Sequence, residues 1–275
     1  PLNEGSALSP PAGRGEGPRY VCQSSPMPTA LALSPHLDDA AFSCGGTLAQ
    51  LANGGWTVVM VTLLTATVPD PSGFALACQL DKGLGPEVDY MALRRDEDRA
   101  AAAALGLAPP VHVALREAPH RGYASAPELF AGTRPDDPLA DDLAPVLARL
   151  MAEAAPDLLL APQGVGGHVD HVQLVRALRA LPPACPILWW RDFPYTVRHP
   201  DPKEPFRETF AALAPVTVRL SPEDEAAKHA ACAAYASQIG FQFGGPAGLA
   251  ERLNAEAARE HFRLAGTLPD GLHLA

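Results

Sequence analysis

Short, uninterrupted apolar runs alternate with helix-length segments along most of this chain, and that alternation restricts the folds open to it. "WTVVMVTLL" (Trp56–Leu64) and "DLLLA" (Asp157–Ala161) are continuous in apolar residues, as strands buried on both faces are. Thr29–Ser34, Val111–Leu115, Pro186–Trp190 and Val216–Leu220 read as further strands. Ala40–Asn53, Met91–Leu105, Asp137–Ala155, Val169–Leu181, a segment from Ser221 to about Ser237, and Gly248–Phe262 read as helices. Gly54-Gly55 and Gly106 stop two of these helices, and Ser221 with Asp224 starts another. Repeated strand–helix units predict an α/β fold: a Rossmann-like, three-layer αβα arrangement around a mostly parallel sheet. In such sheets the functional site lies at the carboxyl ends of the strands. The chain of 275 residues, 47% hydrophobic, is expected to form a single domain over residues 29 to 275, preceded by an extended or poorly ordered arm over residues 1 to 28, rich in Pro, Gly and Ser.

The charge balance bounds the partners. With 21 Lys+Arg against 31 Asp+Glu the net charge is −10, which argues against nucleic acid and against an anionic membrane surface. No apolar run reaches the roughly 18 residues of a membrane span. The five cysteines are scattered, with no Cys-x-x-Cys pair. A disulfide framework or thiolate metal site is therefore not expected, and a reducing, cytoplasmic location is.

Two motifs carry chemistry. His36-Leu37-Asp38-Asp39 follows the first strand, and Gly166-Gly167-His168-Val169-Asp170-His171 follows the strand "DLLLA". Alone, an Asp-Asp pair after a strand is ordinarily a turn or helix cap, and His-x-x-His a solvated helix start. Together, at two strand ends of one sheet, they offer the nitrogen and oxygen donors of a catalytic zinc site. Adjacent aspartates point in different directions, so one can hold the ion while its neighbour faces the attacking water. The other histidines considered, His112, His120, His199 and His229, lack such partners in sequence.

"SPHLDDAAFSCGG" with "GGHVDH" resembles the LmbE-like, or PIG-L, zinc-dependent N-deacetylases. "RRDEDRAAAAALG" and the late Lys228, Tyr235, Ser237 and Gln238 are similar to further segments of that family, so the resemblance spans about residues 29 to 240. Leu37 and Val169 stand where the family usually has proline, and neither change removes a donor atom. The resemblance implies that His36, Asp39 and His171 bind Zn²⁺, with Fe²⁺ or Co²⁺ as other candidates. It implies Asp38 as general base, and His168, oriented by Asp170, as a cationic oxyanion stabiliser or proton donor. "WWRDFPY" is similar to a segment in bacterial members that include glycopeptide-antibiotic deacetylases, although Arg191 replaces the usual Glu.

Arg94 reaches either the site mouth or Glu97, three residues on, and Asp192 and Tyr195 are candidates to line the substrate pocket. Loops 65–89, 116–136 and 194–212 are expected to form its rim. The function expected is zinc-dependent removal of an N-acetyl or N-acyl group from an amino-sugar (GlcNAc-type) conjugate, with a homo-oligomer as one candidate assembly. The alternatives are a metal-dependent hydrolase of another amide or ester, and a non-catalytic metal- or sugar-binding protein.

Overall fold

The structure, a computed structural model, describes residues 27–269. The arm expected over residues 1 to 28 lies, but for its last two residues, outside them. Thr29–Ser34 forms β1, with Ala30 through Ser34 almost wholly inaccessible to solvent. It pairs in parallel with β2 (Thr57–Thr62) on one side and β4 (Leu158–Pro162) on the other. With β3 (Val111–His112), β5 (Ile187–Trp190), β6 (Ala214–Arg219) and β7 (Arg259–Ala265) they make a seven-stranded sheet in the order β3-β2-β1-β4-β5-β7-β6. Every neighbouring pair is parallel except those made by β7, which runs against both β5 and β6.

Alternation along β1 divides the core. Ala30 and Ala32 pack on one face with α1 (Asp39–Asn53), α3 (Tyr90–Ala104), α9 (Pro222–Ala234) and α11 (Pro246–Ala255). Leu31 and Leu33 pack on the other with α5 (Leu139–Ala154), α6 (Val169–Ala180) and α8 (Arg207–Ala211). The expected three-layer αβα domain is present. Shorter helices decorate the carboxyl edge: α2 (Gly73–Leu80), α4 (Glu128–Ala131), α7 (Phe193–Arg198) and α10 (Ala236–Phe243).

The differences from the sequence expectation have physical reasons. Gly248–Phe262 is not one helix. It ends as α11, turns through Ala257 and Ala258 at positive φ, and continues as β7. An Ala/Glu-rich stretch carries helix propensity, but pairing with β5 and β6 overrides it and buries Glu260 and Phe262 on one side. The helix expected to Ser237 breaks at Tyr235, whose hydroxyl donates to the buried Asp98 at 2.6 Å. Asp98 also pairs with His112 at 2.9 Å, so that histidine does have a partner. Loop 65–89 contains α2, and only the first two residues of Val111–Leu115 pair as a strand.

Strand β7 also fixes α1. That helix is kinked at Cys44 (φ −141°), which frees backbone donors in its second turn. Glu260 accepts from Gly46 N at 3.0 Å and Thr47 N at 2.7 Å, and pairs with the buried Lys228 at 2.7 Å. Replacing Glu260 by Ala leaves an ammonium and two amides buried without partners. A loss of about 3–5 kcal/mol is expected, read as a lowered thermal midpoint, with part recovered when Lys228→Met is added.

Candidate metal centre

The order in which strands are added to the sheet reverses at β1, with β2 and β3 on one side and β4 and β5 on the other, and the two motifs leave the sheet at that point. Ser34, the last residue of β1, donates from its hydroxyl to His36 O at 2.7 Å and accepts from Ala40 N at 3.0 Å, which fixes the turn. Asp39 opens α1, where the helix N-terminus favours a carboxylate. Beyond β4 the chain passes through Gly164, Gly166 and Gly167, all at positive φ. A Cβ on Gly166 would stand 2.3 Å from Tyr195 Cγ, so glycine is required there for space as well as for conformation. His168 then caps α6, its Nδ1 accepting from Asp170 N at 3.3 Å, and His171 sits in the first turn.

Three donor atoms converge. His36 Nδ1 lies 3.1 Å from Asp39 Oδ2 and 3.2 Å from His171 Nε2, and the latter two are 3.2 Å apart. Tetrahedral ligands at about 2.0–2.1 Å from zinc stand roughly 3.3 Å from one another, so this triangle fits one small divalent ion. His36, His168 and His171 also offer one nitrogen each within 4.8 Å of one another, which makes His168 a neighbour of the same point. Each of the two inner imidazoles is held from behind by a buried carboxylate. His36 Nε2 meets Asp170 Oδ2 at 2.9 Å and His171 Nδ1 meets Asp192 Oδ1 at 2.6 Å. Such outer carboxylates set the tautomer and raise the basicity of a metal-binding imidazole.

The electrostatics follow from that crowding. Burial opposes charge on His36, but hydrogen bonds and charge from Asp170 and Asp39 outweigh it and raise its pKa well above the ordinary value. Burial likewise opposes protonation of His171, and Asp39 and Asp192 push it up to about 9. Asp38 moves to about 7, chiefly by burial and then by the neighbouring Asp39, against the pull of Arg94, His36 and Gln242. Burial takes His168 down to about 3, aided by His36 and His171 against Asp170.

Several expectations change. Asp192 does not line a pocket: it is fully buried, bonded to His171 and to Val165 N at 2.8 Å. Asp170 is turned to His36, not to the ring of His168, whose Nδ1 is 3.9 Å from its carboxylate. His168 is therefore a neutral imidazole rather than a cation, with Nδ1 accepting a backbone N–H and Nε2 left to donate. Arg94 does not pair with Glu97. It is buried against Glu117 at 2.6 Å and Leu37 O at 3.3 Å, 3.7 Å from Asp38. Tyr195 does reach the centre, its ring 5.7 Å from that of His171.

Three further residues were not singled out from the sequence. Phe130 of α4 packs edge-on to His168 at 5.4 Å. Arg121 bonds Asp170 and, at 2.8 Å, Asp137. Gln242 donates to Asp38 Oδ2 at 2.8 Å. None stands in a local pattern that marks it; the loops 116–136 and α10 bring them in from a distance.

The PIG-L family, GlcNAc-PI de-N-acetylase, matches residues 31–181, more than half of the chain and both motifs. The chain belongs to this family. A 2'-N-acetylparomamine deacetylase of Streptomyces fradiae is 33% identical over 167 residues, 60% of this chain and 57% of the relative. A 1D-myo-inositol 2-acetamido-2-deoxy-alpha-D-glucopyranoside deacetylase of Nakamurella multipartita is 32% identical over 66% of this chain and 63% of its own. The chain thus spans about three fifths of the curated relatives it matches. Among solved structures, the A40926 pseudoaglycone deacetylase superposes with a TM-score of 0.70 at 26% identity, covering 88% of this chain and 98% of that one. The zinc-inhibited form of teicoplanin deacetylase also gives 0.70, at 25% identity over 86% and 96%.

Two outcomes are expected. Asp192→Asn removes the carboxylate behind His171, and metal affinity measured by chelator competition falls about 10–100-fold. Because the pKa values of His36 and His171 are raised, both carry protons at pH 7 without an ion. Binding a divalent ion there releases about two protons, and affinity weakens as pH falls below about 9. Calorimetry in buffers of different ionisation enthalpy checks this.

Proposed function

We propose that the chain is a metal-dependent amidohydrolase that removes an N-acetyl group from an amino-sugar conjugate. The observation that carries this is the triangle of His36 Nδ1, Asp39 Oδ2 and His171 Nε2 with the unliganding carboxylate of Asp38 beside it. Two nitrogens and one carboxylate oxygen suit Zn²⁺, Fe²⁺ or Co²⁺. A bound divalent ion supplies a Lewis acid that polarises the acyl carbonyl and makes water nucleophilic near neutral pH. The deacetylase relatives act on an acetylated paromamine and on an acetamido sugar joined to inositol, and an acetamido sugar is the substrate class favoured here.

The side chains divide the work. Asp38 takes a proton from the attacking water. Its pKa of about 7 suits that task, since a general base works best near the operating pH. His168, neutral and protonated at Nε2, donates to the oxygen on which negative charge develops. Losing one such donor typically costs about 10²–10³ in rate. The departing amine receives its proton from Asp38. Phe130 and Tyr195 cover His168 and His171 on the opposite side and restrict water. Arg94, tied to Glu117, stands 3.7 Å from the Asp38 carboxylate and favours its ionised form.

Among the described residues no helix is long and apolar enough to cross a membrane. Cys44, Cys78, Cys185 and Cys232 are free thiols, as a reducing, cytoplasmic setting allows.

Asp38→Asn is expected to lower acetate release from 2-acetamido sugars by at least about 10³-fold while the ion stays bound. Metal content and amine release measured on the same preparation check it. Wild-type turnover by that variant overturns the assignment. Reconstitution with Zn²⁺, Co²⁺ and Fe²⁺ in turn identifies the working metal.

A further inference from the structure

Asp170 has two imidazoles within reach. One oxygen, Oδ2, lies 2.9 Å from His36 Nε2 and 3.9 Å from His168 Nδ1. His168 and Asp170 both stand at the start of α6, so that helix does not by itself turn the carboxylate to His36. The segment between β3 and α5 does. Arg121 Nη2 donates to Asp170 Oδ1, and Ala118 N donates to Oδ2 at 3.2 Å. Both oxygens are thereby held by one short stretch of chain, and the carboxylate is left facing His36.

Arg121 is anchored in turn. Its Nε and Nη2 grip the two oxygens of Asp137 at 2.8 and 3.1 Å, and Nη1 donates to Arg116 O. Asp137 also accepts from Tyr123 Oη at 2.9 Å and from Leu139 N, at the start of α5, at 3.1 Å. The side chains of Arg121, Asp137 and Asp170 are 4%, 0% and 0% exposed. A planar fork spanning two buried carboxylates is a task for arginine, because the single ammonium of a lysine cannot fill both ends. The other backing acid has no such dependence: Asp192 is tied to the backbone, accepting from Val165 N at 2.8 Å.

We propose that Arg121 is a positioning residue for the metal centre: its guanidinium, braced by Asp137, keeps Asp170 behind His36 and off His168. This rests on the metal-dependent reading of the site. Charge alone makes Arg121 unfavourable there, since a cation repels a nearby dication. Its contribution to metal affinity is therefore geometric. Geometry and charge predict opposite signs for its removal.

The experiment measures Co²⁺ affinity by chelator competition, and the visible absorption of bound Co²⁺ as a report of ligand arrangement. The proteins are wild type, Arg121→Met, Arg121→Lys, Asp170→Asn, and each Arg121 variant combined with Asp170→Asn. Both Arg121 variants are expected to weaken Co²⁺ binding about tenfold and to change its absorption. In the Asp170→Asn background the same substitutions change affinity by less than about twofold, because their route to the ion is gone. Tighter binding by Arg121→Met, with Arg121→Lys at wild-type affinity, shows that only charge acts and overturns the proposal. A full-sized effect in the Asp170→Asn background shows that Arg121 acts through the fold around Asp137, and overturns it as well. Arg121→Lys keeps a positive charge beside Asp137, so it carries the same comparison if Arg121→Met does not fold. Wild type that takes up no divalent ion defeats the metal reading and this inference with it. Wild-type uptake with unchanged variants defeats this inference alone.

Discussion

Four carboxylates crowd the carboxyl edge of this sheet, and the site depends on how their charge is balanced. Asp38, Asp39, Asp170 and Asp192 are each at most 5% exposed. An isolated buried carboxylate costs several kcal/mol, so each is tied to a counter-charge. Asp170 has Arg121 and His36, Asp192 has His171, and Asp39 lies between both imidazoles. A divalent ion at the shared point would replace the two imidazolium protons by one compact double charge. Asp38 is the least compensated of the four, with Arg94 only 3.7 Å away and Glu117 competing for that guanidinium. That imbalance is what raises its pKa, burial adding to the repulsion from Asp39.

The sheet makes the convergence possible. From β1 the chain continues to β2 on one side, while β4 lies on the other, so the loops that leave β1 and β4 diverge above the edge and open a crevice between them. Ser34 and the glycines after β4 aim the two motifs into it. Asp192, directly after β5, reaches His171 from the next strand over. Three adjacent strand ends thus supply the donor atoms and both carboxylates behind them. The antiparallel β7 contributes at a distance, since Glu260 holds the kinked α1 that carries Asp38 and Asp39. Stability of the fold and placement of Asp38 are coupled through that one buried acid.

What lies around the reacting point comes from irregular segments. Phe130, Arg121 and Glu117 stand between β3 and α5, Tyr195 on α7 and Gln242 on α10. Loops vary in sequence more freely than the sheet they decorate. The relatives are named as deacetylases of an acetylated paromamine, of an acetamido sugar joined to inositol and of the A40926 pseudoaglycone.

The strands and their order of appearance were readable because continuous apolar runs such as Leu158–Ala161 have no soluble alternative to a doubly covered strand. His36, Asp38, Asp39, His168 and His171 could be singled out because donor-type residues stand close in sequence to two strand ends, and the fold brings these five together. The turn of Asp170 toward His36 was not, because residues two apart at a helix start look like natural partners until a second loop comes within 3 Å. Nor was β7, where local propensity favours helix and only the bare edges of β5 and β6 reward a strand. Sequence by itself determined the layered sheet and the donor set, both consequences of local pattern. Tertiary structure alone decided which carboxylate backs which imidazole and which distant residues touch the base. Those contacts join segments from 21 to 204 positions apart, and no short-range pattern encodes a distance in space.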